Sequence, residues 1–302
     1  MKHFCRKNIS LLLVLVLLWL SAATGCTSHS QPDQLSLHMI DVGQGDSLLV
    51  ITPEGSNILI DAGDPTQGER VVAYLKRQGV ARIDHLVVSH PHGDHIGGLD
   101  AVLNTFPVSY VYMPPVVHTS QLFENLLRLI ADKNIPLHLI RETTMLFEEE
   151  TANAAILSTD YDYGDHFNNW SLMVRVSHGE QVFLMTGDAE AEAEDRMLAA
   201  FPSALLQANV LKAGHHGSAS SSTDAFLDTV RPEVVLISSG IGNLHGHPHP
   251  TVLERLADRN IWIYRTDQQG SVVVYSDGKR VYSHTAPSNL PSGASPHKTF
   301  PQ

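Results

Sequence analysis

The sequence predicts one α/β domain in which two β-sheets pack back to back with helices on their outer faces. Apolar runs of strand length alternate with helical patterns between residues 35 and 285, and this alternation fits a layered fold. With 302 residues and 43% hydrophobic content, the chain can bury one large core, and no internal stretch has the composition of a linker between two domains. We therefore expect a single four-layer αββα sandwich.

The individual elements follow from local patterns and turn residues. Alternating or continuous apolar runs predict strands at residues 35–40, 47–52, 57–60, 83–88, 109–113, 137–141, 145–147, 154–158, 172–176, 182–185, 208–211, 234–237, 261–265 and 271–275. Apolar residues at helical spacing predict helices at residues 68–78, 99–106, 119–134 and 189–199. The last two strands are expected to form a closing hairpin.

The first 25 residues have the pattern of a bacterial secretory signal. Basic residues precede an uninterrupted apolar run at residues 11–20, which is too short for a comfortable membrane span. The small residues before Cys26 resemble a lipobox, which predicts lipidation of Cys26 and anchoring of the exported protein to the outer face of a bacterial membrane. Ordinary cleavage near Ala23 is the alternative.

Two polar segments flank the predicted domain. Residues 26–34 have the composition of a tether, and residues 286–302, rich in Pro and Ser, that of a disordered tail. Of the 2 cysteines, Cys5 leaves with the signal, so the mature protein has no disulfide and depends on its core. The net charge of −12 argues against broad electrostatic capture of nucleic acid, although metal ions can supply positive charge locally.

The main candidate site is the segment 89–98, Ser-His-Pro-His-Gly-Asp-His-Ile-Gly-Gly, which follows an apolar strand. Imidazole and carboxylate groups are ligands of zinc and, with more oxygen, of manganese or iron. His90 and His92 alternate in an extended segment and face the same way, whereas Asp94 and His95 turn back after a glycine and can address a second centre. The spacing predicts two divalent metal ions, zinc or manganese. A solvated histidine-rich turn is the alternative.

Two further histidine loops follow apolar strands later in the chain. His215 stands nearest the end of its strand, so we expect it to bind metal and His216 to contact substrate or transfer a proton, although the two roles can be exchanged. In the final loop, His247 is expected to meet an anionic group and to take part in catalysis. His245 and His249 are expected to be solvated.

The pattern His-x-His-x-Asp-His after a strand resembles the signature of the metallo-β-lactamase superfamily of hydrolases. The chain also contains Asp-Val-Gly-Gln-Gly-Asp at 41–46, Thr-Gly-Asp-Ala-Glu at 186–190, His-His-Gly-Ser at 215–218 and Gly-His-Pro-His at 246–249. In this order the motifs are similar to one branch of the superfamily, the soluble hydrolase domain of the ComEC competence channel and its stand-alone relatives. The likeness covers residues 35 to about 282 and implies a four-layer αββα fold and phosphodiester hydrolysis, in the channel the degradation of one DNA strand.

The resemblance also implies roles for single residues. It implies that Asp188 bridges two metal ions, and that Asp61 orients the metal-binding loop by accepting a hydrogen bond from a ligand imidazole or from the loop backbone. Taken alone, Asp188 is explained by a helix cap and Asp61 by a turn. Asp94 is expected both to bind metal and to orient the nucleophile.

The remaining site predictions concern residues in the same loops. Asp41 and Asp46, in the glycine-rich turn, are expected to support the metal ligands, and Ser218, Asn169 and Ser171 to bind substrate. Most dinuclear members of the superfamily have a further histidine where this chain has asparagine and serine. The resemblance therefore implies that the metal ion at the site begun by the first two histidines is held more weakly, which favours manganese over zinc or leaves that site partly empty.

We expect an exported phosphodiesterase that uses metal-activated water, acts on DNA or another phosphodiester polymer, contacts the membrane through its lipid anchor and has no protein partner. An envelope phosphodiester, such as teichoic acid or a phosphocholine substituent, is an alternative substrate. Two other classes are an enzyme that opens lactam or lactone rings and a non-catalytic metal-binding lipoprotein. Storage and structural metal sites are usually closed, which argues against the last class.

Overall fold

A computed structural model of the chain describes residues 33–289. The predicted signal, the predicted lipidation site Cys26, residues 26–32 of the tether and residues 290–302 of the tail lie outside the described residues. Within the described part, no helix has the length and apolar character needed to cross a bilayer. The backbone N–H of Ser288 donates to the carbonyl oxygen of Ile263 at 2.7 Å, so the described domain extends into the segment expected to be a tail.

The described elements are strands β1 to β15 and helices α1 to α9. The strands are β1 (Leu35–Met39), β2 (Leu48–Ile51), β3 (Asn57–Ile60), β4 (Ile83–Val87), β5 (Val108–Met113), β6 (Leu137–Leu139), β7 (Thr144–Glu148), β8 (Ala152–Leu157), β9 (Met173–His178), β10 (Gln181–Met185), β11 (Val210–Lys212), β12 (Val234–Ile237), β13 (Trp262–Arg265), β14 (Val272–Ser276) and β15 (Val281–Tyr282). The helices are α1 (Gly68–Arg77), α2 (Gly93–Ile96), α3 (Leu99–Thr105), α4 (Gln121–Asp132), α5 (Ala191–Ala200), α6 (Ser203–Leu206), α7 (Asp224–Val230), α8 (Pro250–Asp258) and α9 (Thr266–Gln269). Short 3-10 helices lie at Pro65–Gln67, Phe167–Trp170 and Gly214–Gly217.

The strands form two mixed sheets. The first has eight strands in the order β15-β14-β1-β2-β3-β4-β5-β6, and the second has seven in the order β13-β12-β11-β10-β9-β8-β7. In each sheet an antiparallel half joins a parallel half, at β3 in the first sheet and at β10 in the second. The parallel strands are connected through helices, as parallel pairing requires.

Three apolar layers hold the sheets and helices together. Alternate residues of both sheets, among them Met39 and Val174, meet in a core between the sheets. The other face of the first sheet packs against α1, α3 and α4, and that of the second sheet against α5, α7 and α8. This arrangement is helix, sheet, sheet, helix, so the predicted αββα sandwich is confirmed.

The predicted closing hairpin is wrong. β13 lies parallel to β12 in the second sheet, whereas β14 lies antiparallel to β1 in the first sheet. The short connection contains α9 and then Gly270, whose φ of 67° lets the chain leave the helix and cross between the sheets. Both strands bury side chains in the core between the sheets, so their apolar patterns alone could not assign them to different sheets.

The loops that carry the candidate site lie at one edge of the sandwich. They follow the carboxyl ends of β1, β3 and β4 in the first sheet and of β10, β11 and β12 in the second. Hydrogen bonds join the two sets, for example from Ser238 Oγ to the Gly45 carbonyl oxygen at 2.6 Å. Loops at the carboxyl ends of parallel strands are the usual position for a ligand site in such sheets.

Candidate metal centre

Asp94, His95, Asp188 and His216 form a compact cluster, in which one donor atom from each residue lies within 4.8 Å of the others. Asp188 Oδ2 lies 3.3 Å from His95 Nε2 and 3.2 Å from His216 Nε2. Asp94 Oδ2 lies 3.4 Å from His216 Nε2. Three of the side chains are buried, and Asp94 is partly exposed. Two imidazoles and two carboxylates are a donor set suited to a divalent metal ion.

Hydrogen bonds fix the orientation of both imidazoles. His95 Nδ1 donates to Asp61 Oδ2 at 2.8 Å, and His216 Nδ1 donates to the Ser238 carbonyl oxygen at 3.0 Å. Each ring therefore directs Nε2 toward the cluster, where a proton or a metal ion can bind. Among residues 33–289, neither of these buried Nε2 atoms makes a well-directed hydrogen bond, although Asp188 Oδ2 lies within 3.3 Å of both. Leaving buried polar atoms unpaired is costly, and a divalent ion held by them would remove that cost.

The charges of the cluster compensate one another. Burial alone would lower the pKa of His95 and of His216, but Asp188, aided by Asp61 and Asp46, raises both pKa values well above that of an ordinary histidine. Burial alone would raise the pKa of Asp188, but the two imidazoles hold it well below its usual range. Metal ions compete with protons for such ligands, so binding of a divalent ion here would release protons.

His90 and His92 form a second, smaller group of donors. His90 Nε2 lies 3.0 Å from His92 Nδ1 and 3.9 Å from Asp188 Oδ2. Burial lowers the pKa of His90 well below its ordinary value, which favours the neutral imidazole that a metal ion requires. In the described part of the chain, neither histidine belongs to a set of three donors as closely spaced as the first cluster. Asp188 Oδ2 therefore lies within 3.9 Å of an imidazole nitrogen in each of the two groups.

Asp61 lies beneath the metal-donor loop and is fully buried. Its carboxylate accepts hydrogen bonds from Ser89 N at 2.8 Å, from Ser89 Oγ at 2.5 Å and from His95 Nδ1 at 2.8 Å. One side chain at the end of β3 therefore holds both the start of the loop after β4 and one of the imidazoles. These contacts are of the kind expected for a residue that orients the loop.

His216, rather than His215, points into the cluster. Both residues have positive φ angles, 46° and 55°, so the backbone after β11 does not continue the alternation of the strand. His216 turns inward and is 1% exposed, whereas the side chain of His215 is 24% exposed. His215 Nδ1 lies 2.9 Å from Glu190 Oε1, and Nε2 lies 3.8 Å from Asp188 Oδ2. Glu190 is the last residue of the Thr-Gly-Asp-Ala-Glu motif, but the sequence analysis gave it no role.

Asp41 and Asp46 differ sharply in environment. Asp41 is partly exposed, and its Oδ1 accepts a hydrogen bond from the Gly43 N–H at 3.1 Å, so it shapes its own turn rather than touching a metal donor. Asp46 is fully buried, with Oδ1 3.3 Å from His216 Nδ1 and Oδ2 2.5 Å from Lys212 Nζ. Sequence reasoning missed Lys212. Its signal was a lysine at the end of an otherwise apolar, buried strand.

Asn169 and Ser171, expected to bind substrate, are buried and bonded to the loop that carries Asp188. Asn169 Oδ1 accepts from the Glu190 N–H at 3.1 Å, and Ser171 Oγ accepts from the Asp188 N–H at 2.9 Å. Their polar groups are occupied by the protein, so the geometry favours a supporting role. Ser218, also expected to bind substrate, is partly exposed and lies 2.9 Å from the hydroxyl of Ser220.

An open cleft gives access to the cluster. Its walls include Asp94 and Asp188 together with the histidines His92, His215, His216, His245 and His247. Burial, followed by the neighbouring imidazoles of the 215–216 pair, lowers the pKa of His247 to about 4. His247 lines the cleft, and its lowered pKa makes it a neutral imidazole at neutral pH. His249, expected to be solvated, instead caps α8 by accepting from the Thr251 N–H at 3.3 Å.

A family model described as the metallo-beta-lactamase superfamily matches residues 40–240, the range that contains both groups of candidate metal donors. The chain belongs to the metallo-β-lactamase superfamily. The predicted membership is thereby confirmed. Among solved structures, the metallo-beta-lactamase fold protein YhfI from Bacillus subtilis is similar in fold, with a TM-score of 0.54, 11% identity and coverage of 81% of this chain and 100% of that one.

The curated relatives similar to this chain include Competence protein ComA of Neisseria gonorrhoeae, at 30% identity over 233 residues, covering 77% of this chain and 31% of the relative. The chain is 30% identical over 251 residues to ComE operon protein 3 of Bacillus subtilis, covering 78% of this chain and 32% of the relative. It is 30% identical over 240 residues to Recombination protein 2 of Haemophilus influenzae, covering 78% of this chain and 28% of the relative. The chain thus spans about a third of the length of these relatives. The predicted resemblance to competence-protein hydrolase domains is confirmed.

Proposed function

We propose that the protein is a metal-dependent hydrolase of phosphodiesters. The observation that carries this proposal is the cluster of Asp94, His95, Asp188 and His216, whose imidazole Nε2 atoms converge with two carboxylates at the base of an open cleft. A structural metal site would be closed by protein ligands, whereas Asp94 and Asp188 both line this cleft. The site can therefore admit a substrate.

Two divalent ions, zinc or manganese, are the cofactors that the donors suit. Asp94, His95, Asp188 and His216 would hold one ion, and His90, His92 and Asp188 the other. Ions bound there would lower the pKa of water and stabilise negative charge on phosphoryl oxygens. The second set has three protein donors against four in the first, so water would complete its coordination, and oxygen-rich coordination suits manganese.

The histidines of the cleft wall would handle the substrate. In place of His216, His215 is the candidate for proton transfer, because it is partly exposed in the cleft wall and its Nδ1 lies 2.9 Å from Glu190 Oε1, which fixes the orientation of the ring. His247 is neutral at neutral pH and would donate one hydrogen bond to a phosphoryl oxygen. Asp94 is the candidate for orienting the nucleophile, since it belongs to the cluster and also faces the cleft.

DNA is the first substrate to test, because similar curated relatives are named Recombination protein 2 and Competence protein ComA. An extracytoplasmic nuclease would also fit the predicted export and lipid anchor, which lie outside the described residues. The net charge of −12 does not attract a polyanion, so the second candidate is an envelope phosphodiester that is not polyanionic, such as a phosphocholine substituent.

The test measures hydrolysis of bis(p-nitrophenyl) phosphate and of single-stranded DNA by the purified protein with added Mn²⁺ or Zn²⁺. Asp188→Asn should abolish both activities, and Asp195→Asn, a change to an exposed residue of α5, should preserve them. Cleavage of the small diester alone would point to an envelope substrate. Cleavage of a lactam or lactone instead, or metal binding with no hydrolysis of any ester, would contradict the proposal.

A further inference from the structure

Lys212 ends β11 with its side chain completely buried beside the metal-donor cluster. Its Nζ lies 2.5 Å from Asp46 Oδ2, donates to the Gly187 carbonyl oxygen at 2.7 Å and lies 3.7 Å from Asp188 Oδ1. Burying an ammonium group is unfavourable unless charged and polar partners surround it. Three partners do so here, and two of them belong to the turn that presents Asp188.

The two carboxylate oxygens of Asp188 have different surroundings. Oδ2 faces imidazoles: His95 Nε2 at 3.3 Å, His216 Nε2 at 3.2 Å and His90 Nε2 at 3.9 Å. Oδ1 faces the ammonium group of Lys212 and, within residues 33–289, accepts no hydrogen bond. A carboxylate free to rotate about its terminal bond would exchange these two positions, so something must hold its orientation.

The turn itself is tightly held. Gly187 has a φ of 52°, and a Cβ atom at this position would lie 2.9 Å from Ser171 Oγ and 2.9 Å from the Cβ of Ser89. The Gly187 carbonyl oxygen accepts from Lys212 Nζ, and Ser171 Oγ accepts from the Asp188 N–H. Lys212 thus contacts the Gly187–Asp188 unit at its backbone and at its side chain.

We propose that Lys212 is a positioning residue that holds the Asp188 carboxylate so that a single oxygen, Oδ2, serves both groups of metal donors. Oδ1 is kept beside the ammonium group and away from the histidines. The inference rests on the proposed metal-dependent function. It assigns to Lys212 an effect on how metal is bound, beyond its contribution to folding.

A simpler role for Lys212 is to neutralise the buried Asp46. The two roles can be separated, because Asp46 can be neutralised while Lys212 remains beside Asp188. The variant Asp46→Asn does this and keeps an oxygen near His216 Nδ1. The double variant Asp46→Asn/Lys212→Met also removes the ammonium group, and it avoids the unpaired buried carboxylate that Lys212→Met alone would create.

The experiment measures Mn²⁺ binding to the metal-free full chain by titration calorimetry, with circular dichroism to establish that each variant is folded. The visible absorption of the Co²⁺-loaded proteins reports the ligand arrangement. Relative to Asp46→Asn, the double variant should bind Mn²⁺ at least about tenfold more weakly, and its Co²⁺ absorption bands should shift, because the carboxylate is no longer oriented.

Equal or tighter Mn²⁺ binding by the double variant would overturn the inference, because loss of a neighbouring positive charge would then be the whole effect. Weaker binding with an unchanged Co²⁺ spectrum would overturn it too, since the ligand arrangement would be intact. Failure of the wild-type protein to bind Mn²⁺ or Co²⁺ would instead contradict the proposed function. The two failures are therefore distinguishable.

Discussion

Replacing Asp61 with asparagine should impair metal binding while leaving every proposed metal ligand in place. Asp61 Oδ2 now accepts a hydrogen bond from His95 Nδ1 at 2.8 Å, which turns Nε2 of that ring toward the cluster. In Asp61→Asn, Oδ1 can still accept from the Ser89 N–H, but an amide NH₂ then faces His95 Nδ1. The ring would move its proton to Nε2, the atom that the metal ion needs.

The expected loss follows from the role of such partners. Removing the hydrogen-bond partner of a metal-binding histidine typically weakens metal affinity about 10–100-fold, or about 1.4–2.7 kcal/mol. Titration calorimetry with Mn²⁺ measures this loss directly. Asp84→Asn is the matched control, because Asp84 Oδ2 also accepts a backbone N–H, from Asn57 at 2.9 Å, outside the cluster. Equal Mn²⁺ affinities for Asp61→Asn and Asp84→Asn would refute the reasoning.

Three further outcomes are expected. His216→Ala should lower Mn²⁺ affinity more than tenfold, whereas His215→Ala should retain affinity and lower kcat about 10–100-fold; the opposite pattern would restore the order expected from the sequence. Burial lowers the pKa of His38 from 6.5 to about 4, so the unfolded chain takes up this proton first. The contribution of His38 to the free energy of unfolding should therefore be fully present above about pH 6.5 and fall by about 3 kcal/mol as the pH approaches 4. Urea unfolding should show a smaller fall for His38→Gln. The Glu194 carboxylate accepts two backbone N–H groups ahead of α7, that of Ser222 at 2.6 Å, so Glu194→Ala should lower the free energy of unfolding by about 2–4 kcal/mol, and a change below about 0.5 kcal/mol would contradict this.

Much of the fold could be predicted from the sequence because its strands and helices carry strong local patterns. The apolar run before His90 and the run before Asp188 each end at a polar loop, so two strand ends of the site were evident. The pairing of β13 with β12 and of β14 with β1 could not be predicted in this way. The pairing depends on contacts between strands that are far apart in the sequence. The side chains of β13 and of β14 both pack in the core between the sheets, so their apolar patterns do not distinguish the two sheets.

The site could be predicted in outline but not in its detailed order. The segment 89–98 placed its donors within a few residues, and the structure brings Asp94 and His95 of that segment to Asp188 and His216. The order of His215 and His216 depends on two positive φ angles, which histidine sequences do not signal.

Lys212 was missed for a different reason. Its partner Asp46 lies in the other sheet's loops and far away in the sequence, so no local pattern pairs the two. A terminal lysine on a strand is usually solvated, because its flexible stem can carry the charge to water. Only the folded structure shows that the loop carrying Asp46 packs against the end of β11 and buries the Lys212 side chain.

The central claim is that the Asp188 cluster binds metal in order to cleave phosphodiesters. Its most direct test is the rate of bis(p-nitrophenyl) phosphate hydrolysis as Mn²⁺ is titrated into the metal-free protein, with Asp188→Asn beside the wild type. We predict activity that rises with bound Mn²⁺ in the wild type and is absent in the folded variant. Activity in Asp188→Asn equal to that of the wild type, or no activity in a metal-loaded wild type, would contradict the claim.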